Sequence, residues 1–161
     1  MRVLLLTCDQ PNQWALAHRM ARQVDLAAIV FSGNRTAGSA ESRTVGRVRR
    51  LVLGLAGFPF RQAWFGLQKV YRDEFGGPPD VETVRVPEIN DPETARVVEH
   101  TRPDLVLVSG TNLLRGPLIE AATGSSRLGV MNLHTGLSPY LRGGPNCTNW
   151  CLATSRPWLI G

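Results

Sequence analysis

The sequence predicts an α/β chain, an open, mostly parallel, twisted sheet with helices on both faces. Three observations predict it. Short, continuously apolar runs at 2–7, 26–31 and 104–109 read as strands buried on both faces. Segments with apolar residues at helical spacing lie between them. No stretch repeats another, so the alternation of strand and helix is not that of a solenoid.

Size and composition bound the rest. A chain of 161 residues favours one domain, and 43 % hydrophobic residues suffice for a core. No apolar run approaches the roughly 18 residues of a membrane span. Met1 to Cys8 faintly suggests a lipoprotein signal, but its apolar stretch is short and Asp9 follows at once, which favours a first core strand. The three cysteines, Cys8, Cys147 and Cys151, lack framework spacing and suit a reduced, cytoplasmic protein. The net charge is +5, with a pI near 9.9. Seventeen of the eighteen basic residues are Arg, a bias that fits genome composition better than a nucleic-acid task.

The elements follow in order. Residues 2–7 form a buried strand. Pro11 marks a helix entry, and Trp14, Leu16, Ala17 and Met20 recur at helical spacing. Residues 26–31 form the second strand, stopped by Ser32-Gly33-Asn34, and the unit implies a right-handed parallel crossover. A helical insertion at about 42–75 comes next. Its first helix, 42–56, puts Arg43, Arg47 and Arg50 on a basic face. Gly57 and Pro59 break it. Its second helix, 60–75, has Trp64, Leu67, Val70 and Tyr71 as its apolar stripe. The insertion reads as packed on the sheet with a solvated Arg face, in preference to an anion, membrane or partner surface.

Residues 83–86 form a short strand. Asn90-Asp91-Pro92-Glu93 is a helix start, and that helix runs to about Arg102 before Pro103. Residues 104–109 form a strong central strand closed by Gly110. A short helix spans 117–122, and a last strand spans 129–134.

In open α/β sheets, ligands bind at the carboxyl ends of the strands, near the switch in strand order. Two strand ends carry chemistry: 109–114, and Asn132-Leu133-His134 with the loop after it. On a strand, Asn132 and His134 point to one face and Met131 and Leu133 to the other. An amide there can donate to an oxyanion, and an imidazole can move protons, which suits acyl transfer. The competing reading is that both side chains only satisfy loop backbone groups. The loop favours chemistry. Pro139, Gly143, Gly144 and Pro145 shape it around Arg142, and Asn146 can cap a helix through Trp150 and Ala153.

Asn-x-His followed by Leu-x-Pro-Tyr-x-Arg-Gly-x-Pro resembles the signature of the formyltransferase family, and the match is most specific over residues 128–154. The resemblance implies a Rossmann-like catalytic domain and a formyl donor, 10-formyltetrahydrofolate, with no metal. It implies Asn132 as oxyanion donor and His134 as catalytic histidine. It places Asn112, Leu113, Leu114 and Arg115 on the turn that wraps the pterin. Gly136, Ser138, Tyr140, Arg142, Gly143 and Gly144, with Asn12 of the first loop, form the substrate-contacting set. The folate then enters between the 110–115 turn and the 135–146 loop.

The family's acceptors are amines: glycinamide ribonucleotide, methionyl-tRNA and nucleotide-linked amino sugars. The first loop, Cys8-Asp9-Gln10-Pro11-Asn12, lacks glycine amides to cradle phosphate, which disfavours the purine substrate. A small amine on a nucleotide-linked sugar is the expected acceptor. Methionyl-tRNA comes second, and it is the one nucleic-acid partner in view. Two rivals remain: a hydrolase of the formyl donor, and an inactive folate-binding remnant. Gly136 stands where the family commonly has Ser. The family's third catalytic group, an Asp in Asp-x-Gly, has no counterpart, since no Asp follows Asp104. The expectation is therefore an incomplete catalytic domain, with Trp158 to Gly161 beginning the next strand, and a poor catalyst as it stands.

Smaller candidates read as structural. Cys147 and Cys151 lie one helical turn apart without a third ligand at suitable spacing, so helix packing is preferred to metal. Cys8 reads as a small buried residue, and His18 and His100 as helix-surface residues. Gly110-x5-Gly116 is not a dinucleotide fingerprint.

Overall fold

The computed structural model describes residues 1–33 and 58–133. The expected basic helix at 42–56 lies outside the described residues. The chain divides into two compact units, Met1–Met131 and Asn132–Gly161. In chain order the elements are β1 (Arg2–Cys8), α1 (Pro11–Ala21), β2 (Asp25–Ser32), α2 (Phe58–Phe75), β3 (Thr83–Val86), α3 (Pro92–Thr101), β4 (Leu105–Ser109), α4 (Gly116–Ser125) and β5 (Val130–Asn132).

The five strands form one parallel sheet in the order β3-β2-β1-β4-β5. β1 is central because it is apolar along nearly its whole length, with Val3 to Leu6 essentially inaccessible. Its pairing aligns Thr7 with Ser109 on one side and with Phe31 on the other. The chain runs outward from β1 through β2 to β3, then returns to place β4 on the opposite side of β1. The order of strands therefore switches between β1 and β4.

Strand alternation builds two cores, one on each face. On one face Leu4, Leu6, Ala28, Val30, Val106 and Val108 meet Val97 and Val98 of α3 and Leu118 and Ala122 of α4. On the other, Leu5, Ile29 and Phe31 meet Ala17 of α1, with Trp14, Leu16, Met20 and Leu107 around them. Helices on both faces follow from strands whose odd and even residues are both apolar. Each fully buried Leu or Ile contributes about 1.5–3 kcal/mol.

The helix starts follow their sequence signals. α1 opens on Pro11, whose missing N–H costs nothing at a first turn. α3 opens on Asp91, whose carboxylate accepts from the Glu93 amide at 2.9 Å. α3 ends on Arg102 in the left-handed region at φ 44°, its N–H bonded to Val98 O. The buried Pro103 then prevents continuation.

Three expectations need correction. The apolar stripe assigned to the second insertion helix is not its buried face: Val70 is 58 % exposed and Leu67 43 %, whereas Gln68 is 7 % exposed. α2 packs on α1. The contact there is polar and aromatic, through Gln68 with Asn12 and Phe75 with His18. His18, expected on the surface, is half-buried. Its ring stacks on Phe75 at 4.9 Å, and its Nε2 lies 3.0 Å from Gly77 O. The last strand, expected over 129–134, ends at Asn132, and Leu133 lies outside it. The strand alternation that places Asn132 and His134 on one face thus extends only to Asn132 among the described residues.

Candidate functional site

The switch in strand order places the carboxyl ends of β1 and β4 side by side, where a parallel sheet leaves a crevice for ligands. The residues there are Thr7, Cys8 and Asp9 from β1 and its exit, and Ser109, Gly110 and the segment 111–115 from β4.

The floor is a buried polar line across three strands. Thr7 Oγ1 lies 2.8 Å from Ser109 O and 3.0 Å from Gln13 Oε1. Its single proton serves one of these acceptors at a time. Ser32 Oγ donates to Thr7 O at 3.3 Å. Thr7, Ser32, Ser109 and Gln13 are all buried, so these bonds replace solvent that the groups have lost. Gly110 follows at φ +67°, and a Cβ there would stand 3.0 Å from Gln13 Nε2 and 3.4 Å from Cys8 Sγ. Glycine is thus required twice, by the backbone angle and by the space. Cys8 is 5 % exposed, and burial pushes its thiol pKa up. It is a packing residue, in keeping with its sequence reading.

Beside this floor, Asp9 ties three elements together. It accepts from Trp14 Nε1 of α1 at 2.7 Å and from Arg85 Nε of β3 at 3.1 Å. The Arg85 guanidinium also lies 5.6 Å from the centre of the Phe31 ring.

The amino end of α1 is closed to anions. Pro11 has no N–H. The Asn12 amide donates to Gln68 Oε1 at 3.2 Å, and the Gln13 and Trp14 amides both donate to Gln10 O. A phosphate seated here would find no free backbone donor in the first turn. Asn12, placed in the substrate-contacting set by the resemblance, has its side-chain oxygen engaged by Gln68 Nε2 at 3.0 Å.

The 111–115 segment has no regular structure, yet its path is fixed. Asn90, between β3 and α3, donates from Nδ2 to Leu113 O at 3.0 Å and accepts at Oδ1 from the Arg115 amide at 2.7 Å. Leu114 packs against the α3–α4 core, while Leu113 is 90 % exposed. Of the residues assigned to the folate turn, Asn112, Leu113 and Arg115 are exposed and Leu114 is half-buried.

Asn132 is the last residue of β5 and is exposed. His134, Gly136, Ser138, Tyr140, Arg142, Gly143 and Gly144 lie outside the described residues, as do Cys147, Cys151 and the strand expected from Trp158. Among the described residues no three His, Cys, Asp or Glu side chains group as a metal site. Among them, too, no helix is long and apolar enough to cross a membrane.

Sequence reasoning missed Asn90, Gln13, Gln68 and the Asp9–Arg85 pair. Asn90 left one signal: it precedes a helix cap that Asp91 already supplies, so its own amide was spare. Comparison of the chain with protein-family models finds no match, and comparison with curated proteins finds none.

Proposed function

We propose that this protein transfers a formyl group from 10-formyltetrahydrofolate to an amine, with a nucleotide-linked amino sugar as acceptor. The reading rests on Asn132-Leu133-His134 and the Pro/Gly-shaped loop that follows. One structural observation supports it: the turn assigned to the folate leaves β4 at the strand-order switch, where parallel sheets bind ligands. The closed amino end of α1 supports the choice of acceptor, because it disfavours an amine whose phosphate sits on the first loop.

In the mechanism, the neutral amine attacks the formyl carbon and the carbonyl becomes tetrahedral. The Asn132 amide donates to the developing oxyanion. His134 takes the amine proton, and the tetrahydrofolate nitrogen leaves carrying a proton in return. Positioning and oxyanion stabilisation supply most of the rate. Exposed Leu113 offers an apolar surface to the flat pterin, while the 111–115 backbone offers its polar edge hydrogen bonds.

Amine-dependent release of tetrahydrofolate, followed by absorbance, tests the proposal. Release that requires a nucleotide-linked amino sugar is expected. Release at the same rate without any amine indicates a hydrolase. Binding without release under any condition indicates a folate-binding remnant.

A further inference from the structure

We infer that Asn90 is a positioning residue, holding the strand-end segment 111–115 in the shape that receives its ligand. The ligand class rests on the folate reading above; the ordering of the segment does not.

Residues 111–115 belong to no helix or strand, so no ladder fixes their backbone. Leu113 is 90 % exposed and contributes no anchor. Leu114 is the apolar anchor, and by itself a half-buried side chain leaves the 113–114 and 114–115 peptide groups room to turn. Asn90 removes that freedom. Its amide is a two-pronged group, donating to Leu113 O at 3.0 Å and accepting from Arg115 N at 2.7 Å. The two bonds bracket Leu114 and fix the orientation of the peptide groups on each side.

Asn90 is itself rigidly held. Ile89 before it is 1 % exposed. Asp91 after it caps α3 through the Glu93 amide, and its own amide donates to Glu88 O. A fork mounted between a buried residue and a helix cap has little freedom of its own. Order passes from the α3 start to the β4 exit through one side chain, which need not touch the ligand. The Arg115 amide so occupied also opens α4, so the same bond sets where that helix begins.

The two prongs separate by substitution. Asn90→Ala removes both. Asn90→Asp keeps an acceptor for Arg115 N but cannot donate to Leu113 O. The experiment measures amide hydrogen exchange at Arg115 and the affinity for 5-formyltetrahydrofolate by calorimetry, in the full protein. Asn90→Ala is expected to speed exchange at Arg115 and weaken binding about tenfold, the size of one or two lost net hydrogen bonds. Asn90→Asp is expected to keep the Arg115 amide protected and to bind with an intermediate loss. The melting temperature should stay within a few degrees of wild type in both, which a general loss of folding would not allow.

Unchanged exchange in Asn90→Ala overturns the inference. Faster exchange with unchanged folate affinity also overturns it. A wild-type protein that does not bind 5-formyltetrahydrofolate overturns the folate reading instead, and exchange at Arg115 alone then decides whether Asn90 orders the segment.

Discussion

Asn12 and Gln68 satisfy one another. Gln68 Nε2 donates to the Asn12 side-chain oxygen at 3.0 Å, while Gln68 Oε1 accepts from the Asn12 backbone amide at 3.2 Å. The exchange caps α1 from outside its own sequence and buries a glutamine between two helices. Gln68→Ala leaves the Asn12 groups unpaired and is expected to destabilise the fold by about 1–3 kcal/mol. At this chain length that lowers the melting temperature by roughly 2–4 °C per kcal/mol. An unchanged melting temperature would show that the pair is not maintained in solution.

Gly110→Ala meets two penalties. The left-handed angle costs a residue with a Cβ roughly 1–2 kcal/mol. The new methyl also stands 3.0 Å from Gln13 Nε2, so the buried Thr7–Gln13 contact must shift. Urea unfolding should show a loss of about 1–3 kcal/mol. Stability within a few tenths of a kcal/mol of the wild type, about the usual range for a substitution that breaks no packing, would contradict the geometry.

Much of this fold was legible in the sequence, for a physical reason. Strands buried on both faces must be apolar at consecutive positions, so β1, β2 and β4 were visible as runs. Helix starts were visible because Pro11 and Asp91 act on their own neighbours. What was not legible depends on partners far along the chain. Asn90 reads as part of a helix start until the backbone of Leu113 and Arg115 is placed beside it. Gln68 lies off the apolar stripe read for α2, and its partner lies 56 positions earlier. The same limit misassigned the α2 stripe, since periodicity shows that a helix has an apolar face without showing what covers it. The residue types at the β4 exit were legible in the sequence, and the distant side chains that support them were not.

Asp104 sets a pH dependence. The Arg2 backbone amide donates to its carboxylate at 2.8 Å and Arg127 Nε at 3.2 Å, and together they hold its pKa below the ordinary 3.8. A carboxyl whose native pKa is lowered stabilises the fold above the ordinary value and loses that contribution as pH falls through the native one. Asp104→Asn should therefore lower the urea midpoint at neutral pH and converge with the wild type under strong acid. Parallel curves across the whole range would contradict the assignment.

Cys8 should be slow to react. The thiolate is the nucleophile, and burial both hides the sulfur and raises its pKa. Iodoacetamide labelling of the peptide containing Cys8, followed by mass spectrometry at neutral pH, should be slow in the native protein and rapid in denaturant. Rapid native labelling would mean that the β1 carboxyl end opens readily.

In the proposed reaction, Asn132 and His134 are the groups that act on the formyl carbon. The most direct measurement is single-turnover formyl transfer from 10-formyltetrahydrofolate in wild type, Asn132→Ala and His134→Ala. Removing one oxyanion donor should cost about two to three decades of rate with folate affinity largely kept, and removing the histidine about two to four decades. Rates within a few-fold of wild type in either variant would contradict the account.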